Sequence, residues 1–123
     1  MDYVHNWNQA FREFHRFLRT PGHLVFSISH PLADFLTYQT KKYFEVELVS
    51  YRGRGFGGEP VVVPSYRRPL NAVLNPLIKA GFKLEGIVEP QPAEEFKLAD
   101  PDHYAKLMTQ PGFLCVRAVK LDR

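Results

Sequence analysis

The first twenty positions carry large apolar residues at the spacing of one helical face. These residues stand three or four positions apart: Val4, Trp7, Phe11, Phe14 and Leu18. Asn6 followed by Gln9 has the form of a capping box, in which polar side chains satisfy the free amide groups of a helix start. Because Pro21 and Gly22 disfavour a helix, the pattern predicts one amphipathic helix that begins near Trp7 and ends before them.

Three short apolar runs have the character of strands. Residues 24–29 form a continuous run that turn residues bound on both sides, and His30 and Pro31 end it. Such a run is typical of a strand buried on both faces, as in parallel sheets. Residues 82–88 and 113–119 form two further strands. Helical and extended patterns thus alternate along the chain, which indicates an α/β fold.

The middle of the chain indicates a hairpin. Phe44, Val46 and Leu48 alternate with glutamates, which predicts a half-buried strand, and an extended segment resumes at residues 61–63. Between them lies a glycine-rich tip at residues 53–58. We therefore expect a hairpin insertion over residues 44–66 with a mobile tip. Residues 32–43 fit either a short helix or a loop.

The pattern after Tyr66 predicts a helix with an irregularity. Its apolar face would consist of Leu70, Val73, Leu74, Leu77 and Ile78. Pro76 would cost about 3 kcal/mol inside a continuous helix, and Asn75 before it can serve as an N-cap. A kink or a restart is therefore expected at this point. Gly81 then ends the helix, and Asp100 caps a further short helix.

The string from Gly53 to Gly58 matches the dinucleotide-binding pattern G-x-G-x-x-G. That motif requires a helix to begin at its last glycine, because the phosphate binds at the helix N-terminus. Here Glu59 and Pro60 lead into a run of valines, which favours a strand. The string is therefore interpreted as a hairpin tip. Arg52 and Arg54 are too few, among interleaved glutamates, for a basic tract that binds nucleic acid.

Composition excludes several classes of protein. Sixteen basic and thirteen acidic residues give a net charge of +3, which is too small to argue for nucleic acid. No apolar run approaches the ~20 residues of a membrane span. The five histidines lack the spacing of metal ligands, and we expect no metal site. The single cysteine, Cys115, excludes internal disulfides, and with no signal peptide predicted it favours the cytoplasm.

Two positions have locations typical of binding sites. His30 directly follows a buried type of strand, and ligands of open α/β sheets bind beyond the carboxyl ends of the strands. It can equally be part of a turn that merely ends the strand. Just before the helix predicted after Tyr66 stand a phenol and two cations, which belong to Tyr66, Arg67 and Arg68. These groups could line a site or form an exposed helix start.

The order of these features resembles the second half of class I S-adenosylmethionine-dependent methyltransferases that act on small molecules. The similarity covers essentially all 123 residues and lies in the following ordered segments: 2–7, 18–22, 24–31, 43–45, 66–70, 75–82, 89–92, 111–114 and 117–120. Two departures are His23, in place of the usual second glycine of the turn, and Asn6, in place of a common aspartate.

The resemblance implies the C-terminal portion of a Rossmann-like methyltransferase sheet with flanking helices. Residues 24–29 are similar to strand five and residues 82–88 to strand six of that sheet. Residues 113–119 are similar to strand seven, which lies between these two, the last two strands being antiparallel. It also implies substrate-side roles for four residues, with His30 as a polar contact or catalytic base. Tyr43 and Tyr66 would form pocket walls, and Arg67 would bind an anionic group.

The resemblance leaves the cofactor-binding half of the fold unaccounted for. The glycine-rich first strand–helix turn and the acidic residue for the cofactor ribose have no counterpart, so residues 1–123 are expected to form one partial domain. S-adenosylmethionine is the cofactor of the full-length family, but we expect no cofactor-binding residues, no tight binding and no activity in this chain alone. A reading frame upstream of Met1 that encodes the missing unit would identify Met1 as an internal start.

The expectation of a partial domain also leads to a prediction about binding partners. A sheet cut beside residues 24–29 has an unpaired apolar edge, and such edges recruit other strands. We expect a homo-oligomer or a complementary N-terminal methyltransferase half, together with a small-molecule substrate and neither nucleic acid nor membrane. Two alternatives stay open. One is a non-catalytic interaction subunit with a truncated methyltransferase fold, and the other is a small RNA-binding domain that uses its arginines.

Overall fold

The computed structural model describes residues 1–121, which form a three-stranded sheet, a separate two-stranded hairpin and five helices. In chain order the elements are α1 (Trp7–Phe17), β1 (His23–Ser29), α2 (Pro31–Thr37), β2 (Glu47–Arg54), β3 (Pro60–Arg67), α3 (Leu70–Lys79), β4 (Phe82–Val88), α4 (Phe96–Ala99), α5 (Pro101–Thr109) and β5 (Phe113–Lys120). No helix among these is long and apolar enough to cross a membrane.

The strands of the larger sheet lie in the order β1–β5–β4. The last strand pairs antiparallel with both neighbours, with Ser27 opposite Cys115 and Leu84 opposite Ala118. The pairing shifts once between Leu84 and Gly86, where β4 has a bulge. Because β1 and β4 both run opposite to β5, they are parallel to each other. The predicted insertion of the last strand between the other two is confirmed.

Helices α1 and α3 cover one face of this sheet and enclose the core. Asn6 caps α1 by accepting a hydrogen bond from the Gln9 amide at 3.0 Å, as the sequence predicted. Trp7 packs edge-on against Phe11 and Phe26. The buried apolar core consists of Trp7, Phe11, Ile28, Val73, Leu77, Phe82, Leu114, Val116 and Ala118. Helical spacing on α1 and alternation on the strands thus supply one continuous core.

Helix α3 continues through Pro76, so the expected restart at Asn75 is wrong. Pro76 has no N–H and so makes no backbone hydrogen bond to the preceding turn. The helix tolerates this loss because Val73 and Leu77, which lie near the proline, are both fully buried in the core. Gly81 ends the helix with a φ of +103°, as the sequence predicted. A β-carbon at Gly81 would lie 2.8 Å from His15 Nε2, so space as well as backbone conformation requires glycine there.

Strands β2 and β3 form the antiparallel hairpin, with Glu47 opposite Arg67 and Arg54 opposite Pro60. Gly53 lies within β2, and Gly58 has a φ of +82° in the connecting turn. A strand follows this turn, so the glycine string is a hairpin tip and not a phosphate loop. The strand predicted from Phe44 is wrong in its start, because β2 begins only at Glu47. Helix α2 occupies residues 31–37, where the sequence left the choice between helix and loop open.

Candidate functional site

Several polar and charged side chains converge at the carboxyl end of β1. The amino-terminal segment crosses here, since the Asp2 carbonyl accepts a hydrogen bond from the Tyr66 amide at 2.8 Å. Arg68 follows β3 and donates to the Val4 carbonyl at 2.8 Å. Its guanidinium carbon lies 4.3 Å from the centroid of the Trp7 ring. Burial lowers the pKa of Arg68 to about 10.

His30 follows β1 and is the N-cap of α2. Its Nδ1 accepts a hydrogen bond from the Leu32 amide at 3.1 Å, so the ring proton is on Nε2. Nε2 lies 2.5 Å from Glu89 Oε2 and donates to it. The His30 side chain is nearly buried, whereas that of Glu89 is 57% exposed. In this tautomer only Nδ1 can accept a substrate proton, and doing so would break its hydrogen bond from the Leu32 amide. The catalytic role of His30 stays a prediction.

A cleft of about 720 Å³ opens beside His30, between α2, the segment after β4, and helices α4 and α5. This volume lies within the usual range of small-molecule sites, roughly 300–1,000 Å³. Its walls are mainly apolar side chains and prolines, with a few polar groups. The lining residues include Asp34 and Leu36 of α2, Phe96 of α4, His103, Lys106 and Leu107 of α5, and Phe113 of β5.

Asp34 is the acidic residue in this cleft, and its environment disfavours its charge. The pKa of Asp34 is raised to about 6, mainly by burial and also by the nearby Asp2 carboxylate, against the opposing effect of Arg67 and His30. Burial also raises the pKa of Asp2, against a hydrogen bond from the Ser29 backbone. The phenol pKa of Tyr38 is raised as well, mainly by burial. Groups with perturbed pKa values in a cleft are typical of functional sites.

Arg67 is fully buried, and its guanidinium forms hydrogen bonds within the protein. Its NH2 nitrogen donates to the carbonyls of Tyr43 and Glu45 at 2.8 and 2.6 Å, to the Lys42 carbonyl at 3.1 Å, and to Glu47 Oε1 at 3.0 Å. These contacts hold the loop before β2 against the end of β3. Arg67 Nε and NH1 are buried without a partner among the described residues.

Tyr43 and Tyr66 also lie outside the wall of the cleft. The Tyr43 hydroxyl accepts a hydrogen bond from the Leu70 amide at 3.1 Å, and its ring packs edge-on against Phe35. The Tyr66 ring packs against His5, with 4.8 Å between the ring centroids. None of the four predicted residues is among those that line the cleft, although Ser29, the neighbour of His30 in the chain, is. Substrate contacts by Tyr43, Tyr66 and Arg67 stay predictions.

The sequence interpretation missed Asp34 and Glu89. Glu89 directly follows β4 just as His30 follows β1. Because the two strands are parallel, their carboxyl ends meet at one edge of the sheet, and this rule could have paired the two residues. Asp34 lies one helical turn after His30, but only the packed structure shows that it faces a cleft. No group of three metal-ligating side chains occurs within residues 1–121.

Comparison with solved structures identifies the fold. A candidate S-adenosylmethionine-dependent methyltransferase from Listeria monocytogenes superposes with a TM-score of 0.80 and 23% identity, over 98% of this chain and 58% of its own. An S-adenosylmethionine-dependent methyltransferase from Mesorhizobium loti superposes with a TM-score of 0.65 and 23% identity, over 97% of this chain and 57% of its own. Neither a protein-family model nor a curated protein matches the sequence.

The chain therefore has the α/β fold of the C-terminal part of these methyltransferases and spans about 58% of their length. The strand order agrees with the resemblance found in the sequence. The glycine-rich turn is a hairpin tip between two strands, so this turn does not fit the phosphate or nucleoside part of a cofactor.

Proposed function

We propose that this chain is the substrate side of an S-adenosylmethionine-dependent methyltransferase that transfers a methyl group to a small molecule. The observation that carries the proposal is the match over 98% of the chain, with a TM-score of 0.80, to a candidate enzyme of this class. The cleft of about 720 Å³ at the carboxyl end of β1 supports it, because open α/β sheets bind ligands at that edge.

In this proposal the chain is inactive alone. Methyl transfer requires donor and acceptor to be held in one geometry and shielded from water, and residues 1–121 supply only the acceptor side. The donor would be held by a second unit, and the matched structures have room for one, since this chain covers only 58% and 57% of their length. Tight binding of S-adenosylmethionine by this chain alone is not expected. The single Cys115 is compatible with the reducing cytoplasm, where we place the protein.

Among the four predicted site residues, His30 has the most support. It directly follows Ser29, which lines the cleft, its tautomer is set by the Leu32 amide, and Glu89 orients its ring. We propose that it contacts the acceptor or relays its proton towards Glu89. Tyr66 is half-buried beside the amino-terminal segment and outside the described lining of the cleft, and we propose that it becomes a pocket wall only in the assembled enzyme. Unchanged activity of a reconstituted enzyme that carries His30→Ala and Tyr66→Ala would refute these roles.

The direct test is the release of S-adenosylhomocysteine from S-adenosylmethionine over a panel of small-molecule acceptors. The chain is assayed alone and together with a separately encoded N-terminal methyltransferase half, expressed in the same cells. We expect turnover only in the combined sample and only with some acceptors. If the combined sample binds S-adenosylmethionine but releases no product with any acceptor, the chain is a non-catalytic interaction subunit.

We further propose that another strand pairs with the outer edge of β1. Within the described residues, β1 is hydrogen-bonded to β5 alone, and its Val25 side chain is 65% exposed. The complementary methyltransferase half is the first expected occupant, because the matched structures extend well beyond the match. When that half is absent, a second copy of this chain is expected to pair there. A single monodisperse monomer in light scattering would contradict this proposal.

A further inference from the structure

Large apolar side chains dominate the lining of the cleft beside α2. Leu36 and Phe113 line it, and these residues are 56% and 52% exposed. Phe96 and Leu107 also line it. Large apolar side chains that stay exposed inside a concave site gain free energy when a ligand covers them.

One carboxylate lies in this apolar wall without a donor. Of the described residues that line the cleft, Asp34 alone is an acid. Its carboxylate is half-buried and accepts no hydrogen bond from a described side chain or amide. A half-buried acceptor of this kind is satisfied by a ligand that brings its own donor. Because the carboxylate carries charge, a cationic donor is the better match.

The other charges near the cleft lie on a different wall. His103 and Lys106 project from α5, and both are exposed to solvent. A flexible, solvated lysine can move away from a ligand, whereas Asp34 is held by its helix and by burial. The cleft therefore has one fixed charge, which is negative and lies at the end next to the sheet.

We propose that this cleft binds an amine with an apolar ring-sized body, its ammonium group against the Asp34 carboxylate and its ring between Leu36, Leu107 and Phe113. The inference rests on the proposed function in one respect, since it names amines as the class of methyl acceptor. Burial of the Asp34 carboxylate adds to the preference, because a group whose charge is disfavoured gains most from a counter-charge.

Three probes with one ring system test the proposal. Tryptamine, tryptophol and indole-3-acetate carry a cation, a neutral hydroxyl and an anion on the same indole. Binding to the full chain is measured by calorimetry at about pH 8, where Asp34 is ionised. We expect tryptamine to bind about tenfold more tightly than indole-3-acetate. Equal affinities, or tighter binding of the anion, would overturn the proposal.

Asp34→Asn is the matching variant, and Glu13→Gln is its control. Both remove one negative charge, but Glu13 lies on α1, outside the cleft, and pairs with Arg16. The preference for tryptamine over tryptophol should disappear in Asp34→Asn and persist in Glu13→Gln. Persistence in Asp34→Asn would refute the role of Asp34.

A pH series on the unmodified chain covers the case in which Asp34→Asn fails to fold. The preference for tryptamine over tryptophol should fall as the pH is lowered from about 8 to about 5, because Asp34 takes up a proton in that range. A preference that stays constant would count against the proposal. The charged or titratable groups that face Asp34 or share the cleft are Asp2, His30, Tyr38, Arg67, His103 and Lys106.

The two proposals fail separately. If tryptamine shows no preference while the combined enzyme releases S-adenosylhomocysteine with other acceptors, the amine inference is wrong and the methyltransferase proposal stands. If the preference depends on Asp34 but no acceptor supports turnover, the cleft is an amine site and the methyltransferase proposal is wrong.

Discussion

His30 and Glu89 join the carboxyl ends of two strands that do not touch each other. They are 59 positions apart, and Nε2 of His30 lies 2.5 Å from Oε2 of Glu89. Between their strands, β1 and β4, runs β5, and the His30 amide donates to the Gly112 carbonyl just before β5 at 3.0 Å. The side chain and the backbone amide of His30 together thus join three segments at the end of the sheet where the cleft opens.

His30→Ala should lower the free energy of unfolding by about 1–2 kcal/mol. The loss combines an N-cap of α2, worth about 1 kcal/mol, with a charge-assisted hydrogen bond to the partly exposed Glu89. Glu89→Gln keeps an acceptor for Nε2–H and should cost less than about 1 kcal/mol. Urea denaturation measures both changes. Equal stability of His30→Ala and the unmodified chain would show that neither bond contributes.

Arg67→Ala should destabilise the chain far more, by about 3 kcal/mol. The substitution leaves the carbonyls before β2 without their donor and Glu47, whose side chain is 25% exposed, without its counter-charge. Arg52→Ala is the matched control, because Arg52 is exposed on the same hairpin, and it should change stability by less than about 0.5 kcal/mol.

Hydrogen exchange distinguishes the Arg67 effect from general unfolding. In Arg67→Lys, the side chain is one bond shorter, so its ammonium nitrogen does not reach the position from which NH2 contacts the four acceptors. Amides of residues 38–46 should then exchange faster while those of β5 keep their protection. Uniform loss of protection throughout the chain would mean that Arg67 supports the whole fold and not this loop in particular.

Asp34→Asn should stabilise the chain at neutral pH and have little effect near pH 4. The folded-state pKa of Asp34 is raised from 3.8 to about 6, so the folded chain binds this proton more tightly than the unfolded chain does. Stability from this group is therefore present below its unfolded pKa and is lost as the pH rises through the folded pKa. After allowance for solvent screening, the gain at neutral pH is about 1 kcal/mol.

Thermal unfolding at several pH values checks the Asp34 prediction. The difference in Tm between Asp34→Asn and the unmodified chain should grow between about pH 4 and pH 7 and then level off, reaching about 4–8 °C. A difference that is already complete at pH 4 would indicate a packing effect of the amide. Glu13→Gln, on the exposed face of α1, should show no such growth.

The sequence predicted those parts of the fold that local patterns determine. The cap at Asn6 and the helix end at Gly81 are set by residues within a few positions, and both were predicted correctly. The strand order came from the resemblance, not from local patterns. The alternation from Phe44 was misleading because the nearby carbonyls of Tyr43 and Glu45 bind one nitrogen of Arg67. Carbonyls used in this way are not available for strand pairing.

The site was less predictable than the fold. The position of His30 after a strand was informative, whereas the clustering of Asp2 with Asp34 depends on how the amino-terminal segment crosses β1. The resemblance assigned Arg67 to an anionic group of the substrate, but the packing of the hairpin buries this side chain. Burial and partners of charged groups arise from tertiary structure, which no short pattern encodes.

Val25→Lys should weaken self-association of the isolated chain. Val25 lies in β1, whose outer edge has no paired strand within residues 1–121, and its side chain is 65% exposed. Lysine on an edge strand disfavours pairing with another strand, because its charge must keep its hydration. Val62→Lys is the control, since Val62 is 62% exposed but lies in the hairpin.

Light scattering over a range of protein concentrations measures the effect. If copies of this chain pair through β1, Val25→Lys should raise the dissociation constant of the dimer about tenfold, and Val62→Lys should leave it unchanged. An equal effect of both variants would place the contact elsewhere or reflect net charge alone. Addition of a complementary N-terminal methyltransferase half should displace the second copy, because both occupants need the same row of backbone amides and carbonyls. Simultaneous binding of both would contradict a shared edge.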